Sequence, residues 1–323
     1  MRRWTTGVAM VCAAVLASAA VATAGDVRTV VTFDGEVGEF PEGVAVTRQG
    51  VVYTGLSHQG RLMQIESPGE ANDLATVPLE EGDFGLAGLA ASDHRGIYST
   101  VISANPELNG VLGFDHVNGD WFHLEGTEAM AMPNAIAFGN DDIDDEVMYV
   151  TDSASGAVWR TEWVGFRGWL PAELWVTDPL LEGTGELPFP FPIGANGVAV
   201  DDRVVYVGVT ERSHIVGIPV EADGTAGEPF VHLELPGIAI DGIAITDDGD
   251  FLVADPPANT VWFIGDDSVP IVVADAADGI SGPTSVFVDA GLDRQPVYVA
   301  NMAQAVVGEL APHGPSIMSI ALD

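Results

Sequence analysis

The 323-residue chain contains no lysine: its eleven basic residues are all arginine, set against 48 acidic ones. The formal net charge of −37 leaves no cationic face to meet phosphate or anionic lipid, which excludes electrostatic capture of nucleic acid or of a membrane surface. Cysteine is nearly absent too. The single Cys12 falls in an N-terminal leader, so the mature chain has no thiol for a disulfide, a thiolate nucleophile, or a Cys-ligated zinc or iron–sulfur site. After the leader no segment shows a 3.6-residue apolar period of useful length, and none is apolar enough to span a bilayer. A Walker loop and a GxSxG nucleophile elbow are missing as well. What remains is 47% hydrophobic with 38 glycines and 20 prolines, the composition of a folded, turn-rich chain and not of a disordered one.

The leader reads as an export signal. Arg2 and Arg3 precede an Ala- and Val-rich run that ends at Ala22-Thr23-Ala24, the small-x-small pattern of signal-peptide cleavage. Residues 1–24 are thus expected to be removed, leaving residues 25–323 as one exported domain, periplasmic or extracellular. The Arg pair reads as the charged n-region or as a twin-arginine signal, whose motif the surrounding residues fit poorly. Loss of two arginines makes the mature charge −39, an acidic coat suited to a saline setting, where screening relieves its self-repulsion.

A repeat runs through the rest of the chain. FPEGVAV (40–46), GLAGLAA (85–91), MPNAIAF (132–138), GANGVAV (194–200), AIDGIAI (239–245) and GPTSVFV (282–288) are six copies of a turn followed by a short apolar strand. Their third positions are Glu42, Ala87, Asn134, Asn196, Asp241 and Thr284, spaced by 45, 47, 62, 45 and 43 residues. Each copy leads into a second strand (VVYTGLS, GIYSTVI, VMYVTDS, VVYVGVT, FLVADPP, PVYVANM) and then into third and fourth strands. A period in the forties built only of strands predicts an all-β, six-bladed propeller with four antiparallel strands per blade. Ring closure needs a fourth strand in the last blade. Residues 27–33 and 315–322 compete for that place.

Antiparallel order puts the turn into each first strand and the turn after each second strand on the same end of the propeller. The six third-position residues are therefore expected at the mouth of the central channel. Around them come His58, Asp152, Ser153, Glu211, Arg212, His214, Asp255 and Asn301. The 62-residue spacing reflects an added loop, GTGELPFPFP, whose Phe189 and Phe191 are placed to wall or cover the channel. Asp152 and Asp255 read as turn caps, and Trp121, Trp159 and Trp262 as packing between blades.

Glu42, Asn134, Asn196 and Asp241 form an oxygen-only set suited to Ca²⁺, whereas zinc would want His or Cys. Capping of neighbouring backbone is the competing role. Ala87 and Thr284 show that the turn itself demands neither acid nor amide.

The runs FPEGVAV, MPNAIAF with VMYVTDSASGAVWR, GANGVAV, and IDGIAI with FLVADPPANTVWFI resemble the gluconolactonase and senescence-marker-protein (regucalcin-like) family, in the six-bladed propeller superfamily that includes paraoxonases. The resemblance covers nearly all of the mature chain. It implies a central calcium held by Glu42, Asn134, Asn196 and Asp241, with Asp241 also the base or nucleophile of a hydrolase. The sequence departs from the sugar-lactone members in the second blade, where ISANPELNG stands, with Asn105 as a partial substitute.

Calcium would polarise a substrate oxygen and leave proton transfer to a separate base. Asp241, His58 and His214 are the candidates, the histidines being matched to neutral pH. The expected function is an exported calcium-dependent hydrolase of a lactone or related ester, with a small-molecule substrate. The alternatives are a non-catalytic NHL-like binding propeller and a metal-free strictosidine-synthase-like enzyme.

Overall fold

Short runs of Val, Ile, Tyr and Phe punctuated by Gly, Pro, Asn and Asp favour strands joined by tight turns, because branched and aromatic side chains pack on a pleated surface. In the computed structural model, residues 24–67, 69–92, 96–139, 146–189, 191–289, 296–304 and 312–322 are described. The expected leader, save Ala24, lies outside them. The described residues contain 24 strands and five three-residue 3₁₀ turns, and no α-helix.

The strands form six antiparallel four-stranded sheets. In five of them the order across the sheet follows the order along the chain. The innermost strands of blades one to six are Pro41–Val46, Gly85–Ser92, Pro133–Gly139, Ala195–Asp201, Ile243–Ile245 and Pro283–Val288. Blade six closes the ring. Its inner pair is followed by Ser316–Leu322 as third strand, and the N-terminal strand Ala24–Thr32 pairs with that strand as the fourth. The two segments expected to compete for one place thus fill consecutive places. Blade six has only two strands before residue 316, and each of the other five has four of its own.

The hydrophobic core is a set of wedges between neighbouring blades. Leu252, Val261, Val286 and Val299 fill the joint of blades five and six, for example, and Val44, Val52, Ala300 and Ile317 the closing joint of six and one. Trp159, Trp262 and Trp121 pack into such joints, the role expected from the sequence.

Glycine at the position after the third residue lets adjacent inner strands touch. A Cβ on Gly88 would lie 2.2 Å from the Asn134 carbonyl oxygen, and one on Gly197 would lie 2.3 Å from that of Asp241. These contacts set the diameter of the channel.

Candidate metal centre at the channel mouth

Alternation along a strand would send every second side chain to the same face, yet the third residue of each repeat must point at the axis. The inner strands solve this with an irregularity at that position. Register shifts fall between Pro41 and Val44, Leu86 and Leu89, Pro133 and Ile136, Ala195 and Val198, and Pro283 and Ser285. Each bracket contains a ring residue: Glu42, Ala87, Asn134, Asn196 or Thr284. A bulge re-aims a side chain at small cost to the ladder. In blade five the regular strand starts only at Ile243, and Asp241 is held by its own amide donating to the Ala254 carbonyl at 3.0 Å.

The backbone of the ring is tied around its circumference. The Thr100 and Thr151 hydroxyls donate to the carbonyls of Asn134 and Asn196 in the next blade, both at 2.5 Å. The Thr284 hydroxyl donates to the Glu42 carbonyl at 2.7 Å. The amides of Gly197 and Gly242 donate to the carbonyls of Asp241 and Thr284 at 3.0 and 2.9 Å. Thr284 therefore spends its hydroxyl on the ring's backbone, and Ala87 has nothing to offer. The side chains at the other four positions take no part in this tie.

The two amides are oriented by hydroxyls. Asn134 Nδ2 donates to Ser153 Oγ at 3.1 Å, and that hydroxyl donates onward to the Ala195 carbonyl at 2.7 Å. Asn196 Nδ2 donates to Thr210 Oγ1 at 3.0 Å, whose hydroxyl donates to the Ile240 carbonyl at 2.7 Å. A hydroxyl has one proton to give, so each must receive from the amide nitrogen, which assigns Nδ2 and leaves Oδ1 facing elsewhere. The Asn196 amide lowers the pKa of the Asp241 carboxyl, and its Oδ1 is buried with no partner.

Glu42 is 6% exposed, and Asn134 and Asn196 are 8% and 5% exposed, whereas Asp241 is partly open to the channel. Below the ring the axis is a cavity of about 290 Å³ lined by Val44, Leu89, Ile136, Val198, Ile243 and Val286 among other apolar residues. None of the four ring residues lines it. Burial, reinforced by the charge of Asp241, pushes the Glu42 carboxyl well above its ordinary range. Burial raises Asp241 to about 7; the Asn196 hydrogen bond opposes this and the charge of Asp255 adds to it. Two mutually repelling carboxyl groups and an amide oxygen without a donor are a set that a cation would satisfy. The donor set is all hard oxygen and fits Ca²⁺.

The remaining candidates are dispersed. His58 is exposed in the Ser57–Gln59 turn, its Nδ1 on the Phe84 carbonyl at 3.1 Å and its Nε2 2.6 Å from Gln304 Nε2. His214 is buried at the start of a third strand, with Nε2 on the Leu180 carbonyl at 2.9 Å, and burial lowers its pKa. Asp152 caps the amides of Ala131 and Met132, and Asn301 bonds Ser281 and Gly279 within its own blade. Asp255 accepts from Ala258 and from the Trp262 indole. Asn105 donates to Glu80 and accepts from the Glu107 amide. Glu211 has a role that spacing could not show. Its carboxylate accepts from the amides of Thr184, Gly185 and Leu187 at 2.6, 2.5 and 3.2 Å, clamping the loop before Asn196.

The strictosidine synthase-like, N-terminal family matches residues 30–65. No curated protein sequence matches the chain. Among solved structures, a gluconolactonase from Xanthomonas campestris superposes with a TM-score of 0.61 at 14% identity, over 95% of this chain and 99% of that one. The calcium-binding protein regucalcin from Agrobacterium tumefaciens gives 0.61 at 13% identity, over 88% and 91%. Virginiamycin B lyase from Staphylococcus aureus gives 0.57 at 12% identity, over 92% and 99%. Likeness at this identity establishes the fold and leaves the activity to be argued from the site.

Proposed function

We propose that the protein is an exported, calcium-dependent hydrolase that opens a lactone or related ester at the channel mouth. One observation carries the reading: the buried Glu42 and the half-buried Asp241 repel one another beside an Asn196 oxygen that has no partner, with both ring amides turned by hydroxyls behind them. The structural likeness to a gluconolactonase and to the calcium-binding regucalcin supports the same reading. Export rests on the leader and is tested by the N-terminal sequence of secreted protein.

Glu42, Asn134, Asn196 and Asp241 would hold the ion, which when bound supplies positive charge to polarise the substrate carbonyl and stabilise the oxyanion. The chain's own residues do the rest. Burial raises Asp241, and a cation held beside it would favour its ionised form, so that its carboxylate would accept the proton of an attacking water near neutral pH. Glu42 contributes charge and a ligand oxygen only. Ser153 and Thr210 keep the amide oxygens on the axis, sparing reorganisation when substrate binds. His58, exposed at the rim with its ring nitrogens on the Phe84 carbonyl and the Gln304 amide, is assigned no step. His214 holds the base of the added loop through Leu180 and takes no part in the chemistry.

The test is hydrolysis of lactones and aryl esters by wild type, Asp241→Asn and Glu42→Gln, with calcium and with chelator. Wild-type activity should disappear with chelator. Asp241→Asn should lose mainly kcat, whereas Glu42→Gln should recover more activity at saturating calcium. A second reading is favoured by the match over residues 30–65: a metal-free strictosidine-synthase-like enzyme. Full activity in chelator would select it. Absence of both calcium binding and turnover would leave a binding propeller.

A further inference from the structure

We infer that the loop inserted before Asn196, residues 182–193, is fastened to the four-oxygen ring so that loop closure and cation binding favour one another, with Glu211 the positioning residue that holds the loop closed; this rests on the calcium reading above. The insertion leaves the third blade and enters the fourth through a neck too tight for side chains. A Cβ on Gly183 would lie 2.6 Å from the Ile193 amide nitrogen, and one on Gly194 would meet the Leu181 carbonyl oxygen. The Ala195 amide donates to that same carbonyl at 2.9 Å, and Leu181 and Ile193 are buried on the two sides of the neck.

Both residues whose hydroxyls orient the ring amides grip the exit of this neck. Ser153, which receives Asn134 Nδ2, donates its hydroxyl to the Ala195 carbonyl, and its own carbonyl accepts from the Gly194 amide at 2.9 Å. Thr210, whose hydroxyl receives Asn196 Nδ2, donates its amide to the Gly194 carbonyl at 3.2 Å. Gly194 and Ala195 are thus a common anchor for both amides, and the next residue along the chain is Asn196 itself. The turn that continues from Thr210 holds the rest of the insertion. The Glu211 amide donates to the Ile193 carbonyl at 3.3 Å, and its carboxylate collects the amides of Thr184, Gly185 and Leu187. Arg212 Nε bonds the Glu182 carbonyl and His214 Nε2 the Leu180 carbonyl. Hydrogen bonds to an ionised carboxylate are stronger than the neutral ones around them, so Glu211 is the main fastener. The turn before Ala87 has a carboxylate clamp too, Asp83, which accepts from the Ser103 hydroxyl and the amides of Glu80 and Ala104, but Ala87 has no oxygen to aim. Opening the insertion would release Gly194 and Ala195, and with them the hydroxyls that set the amide oxygens. An ion that needs those oxygens in place therefore binds the closed loop more tightly, and by linkage it holds the loop closed by the same factor.

The experiment uses the full mature chain and reads the coupling from both ends. Isothermal titration with calcium, in molar sodium chloride to screen long-range charge, should show affinity weakened about five- to tenfold in Glu211→Gln, the low end of couplings between sites. Asp83→Asn removes the same charge from the same end of the propeller and should leave the affinity within about twofold, which separates positioning from the loss of a nearby negative charge. In wild type, calcium should slow hydrogen exchange at the Thr184, Gly185 and Leu187 amides by about the factor that Glu211→Gln costs in affinity, and leave the Glu80 and Ala104 amides unchanged. If Glu211→Gln does not fold, the wild-type exchange with and without calcium decides alone. Equal affinity in wild type and a folded Glu211→Gln, or exchange at the three amides indifferent to calcium, overturns the coupling and leaves the calcium reading intact. If wild type binds no calcium, the calcium reading falls and the metal-free proteins decide. Thr210→Val should then speed exchange of the three loop amides about fivefold or more, although Thr210 bonds none of them, and unchanged exchange refutes the coupling.

Discussion

Asp241→Asn should stabilise the metal-stripped protein and weaken it as a calcium binder, two effects of opposite sign from one atom change. In the folded, metal-free protein the Asp241 carboxyl sits at about 7, against an ordinary 3.8. A carboxyl raised on folding contributes stability that is complete below its unfolded value and is lost as pH rises through its folded value. Between about pH 4 and pH 7 the wild type therefore forfeits up to about 4 kcal/mol for holding this charge, at about 1.4 kcal/mol per pH unit. Asparagine keeps the acceptor for Asn196 Nδ2 and carries no charge. The variant's advantage in chelator should be small near pH 4, partial at pH 5 and full above pH 7. For a domain of this size it amounts to at most about 8 °C in melting temperature. Calcium acts the other way: wild type gains about 2.7 kcal/mol at a hundred times its Kd and about 4.1 kcal/mol at a thousand times, which offsets the variant's advantage above pH 7, and the variant gains far less. Thermal unfolding at pH 5, 6, 7 and 8, with chelator and with calcium, reads both effects. A variant less stable than wild type in chelator at pH 8, or one stabilised equally by calcium, would refute the reasoning.

Three further outcomes follow from the same geometry. Thr210→Val removes the hydroxyl that receives Asn196 Nδ2, and calcium titration should show affinity lower by roughly 10- to 100-fold with the fold retained in circular dichroism. Gly197→Ala places a Cβ 2.3 Å from the Asp241 carbonyl oxygen, and urea unfolding should show a loss of about 3 kcal/mol or more. The chain's net charge of −37 repels itself, so the melting temperature should climb from low salt to molar sodium chloride, and a flat or falling trend would remove the saline reading without touching the fold.

Blade number and ring membership were legible because the repeat carries a turn, a polar or small third residue and an apolar strand, and the structure brings Glu42 within electrostatic reach of Asp241. The device that aims them was not. A bulge at Asn134 or Asn196 interrupts alternation by one residue, and the surrounding Val and Ala read the same with or without it. Ring closure was half legible: residues 24–32 and 316–322 have equivalent strand patterns, and only the shortage of strands in the last blade shows that both are needed. Thr210 and Glu211 stayed hidden for a further reason. Their partners, Asn196 and the amides of Thr184, Gly185 and Leu187, lie on another strand and in a loop more than a dozen residues away, and no local pattern encodes such a meeting.

The central claim is that Glu42, Asn134, Asn196 and Asp241 are one cation site. Isothermal titration of calcium into the metal-stripped protein at pH 8 tests it most directly, on wild type, Asp241→Asn and Asn196→Ala. One ion per chain should bind to wild type, with affinity much reduced in Asn196→Ala and lowest in Asp241→Asn. Binding that is absent from wild type, or unchanged in both variants, would contradict the claim.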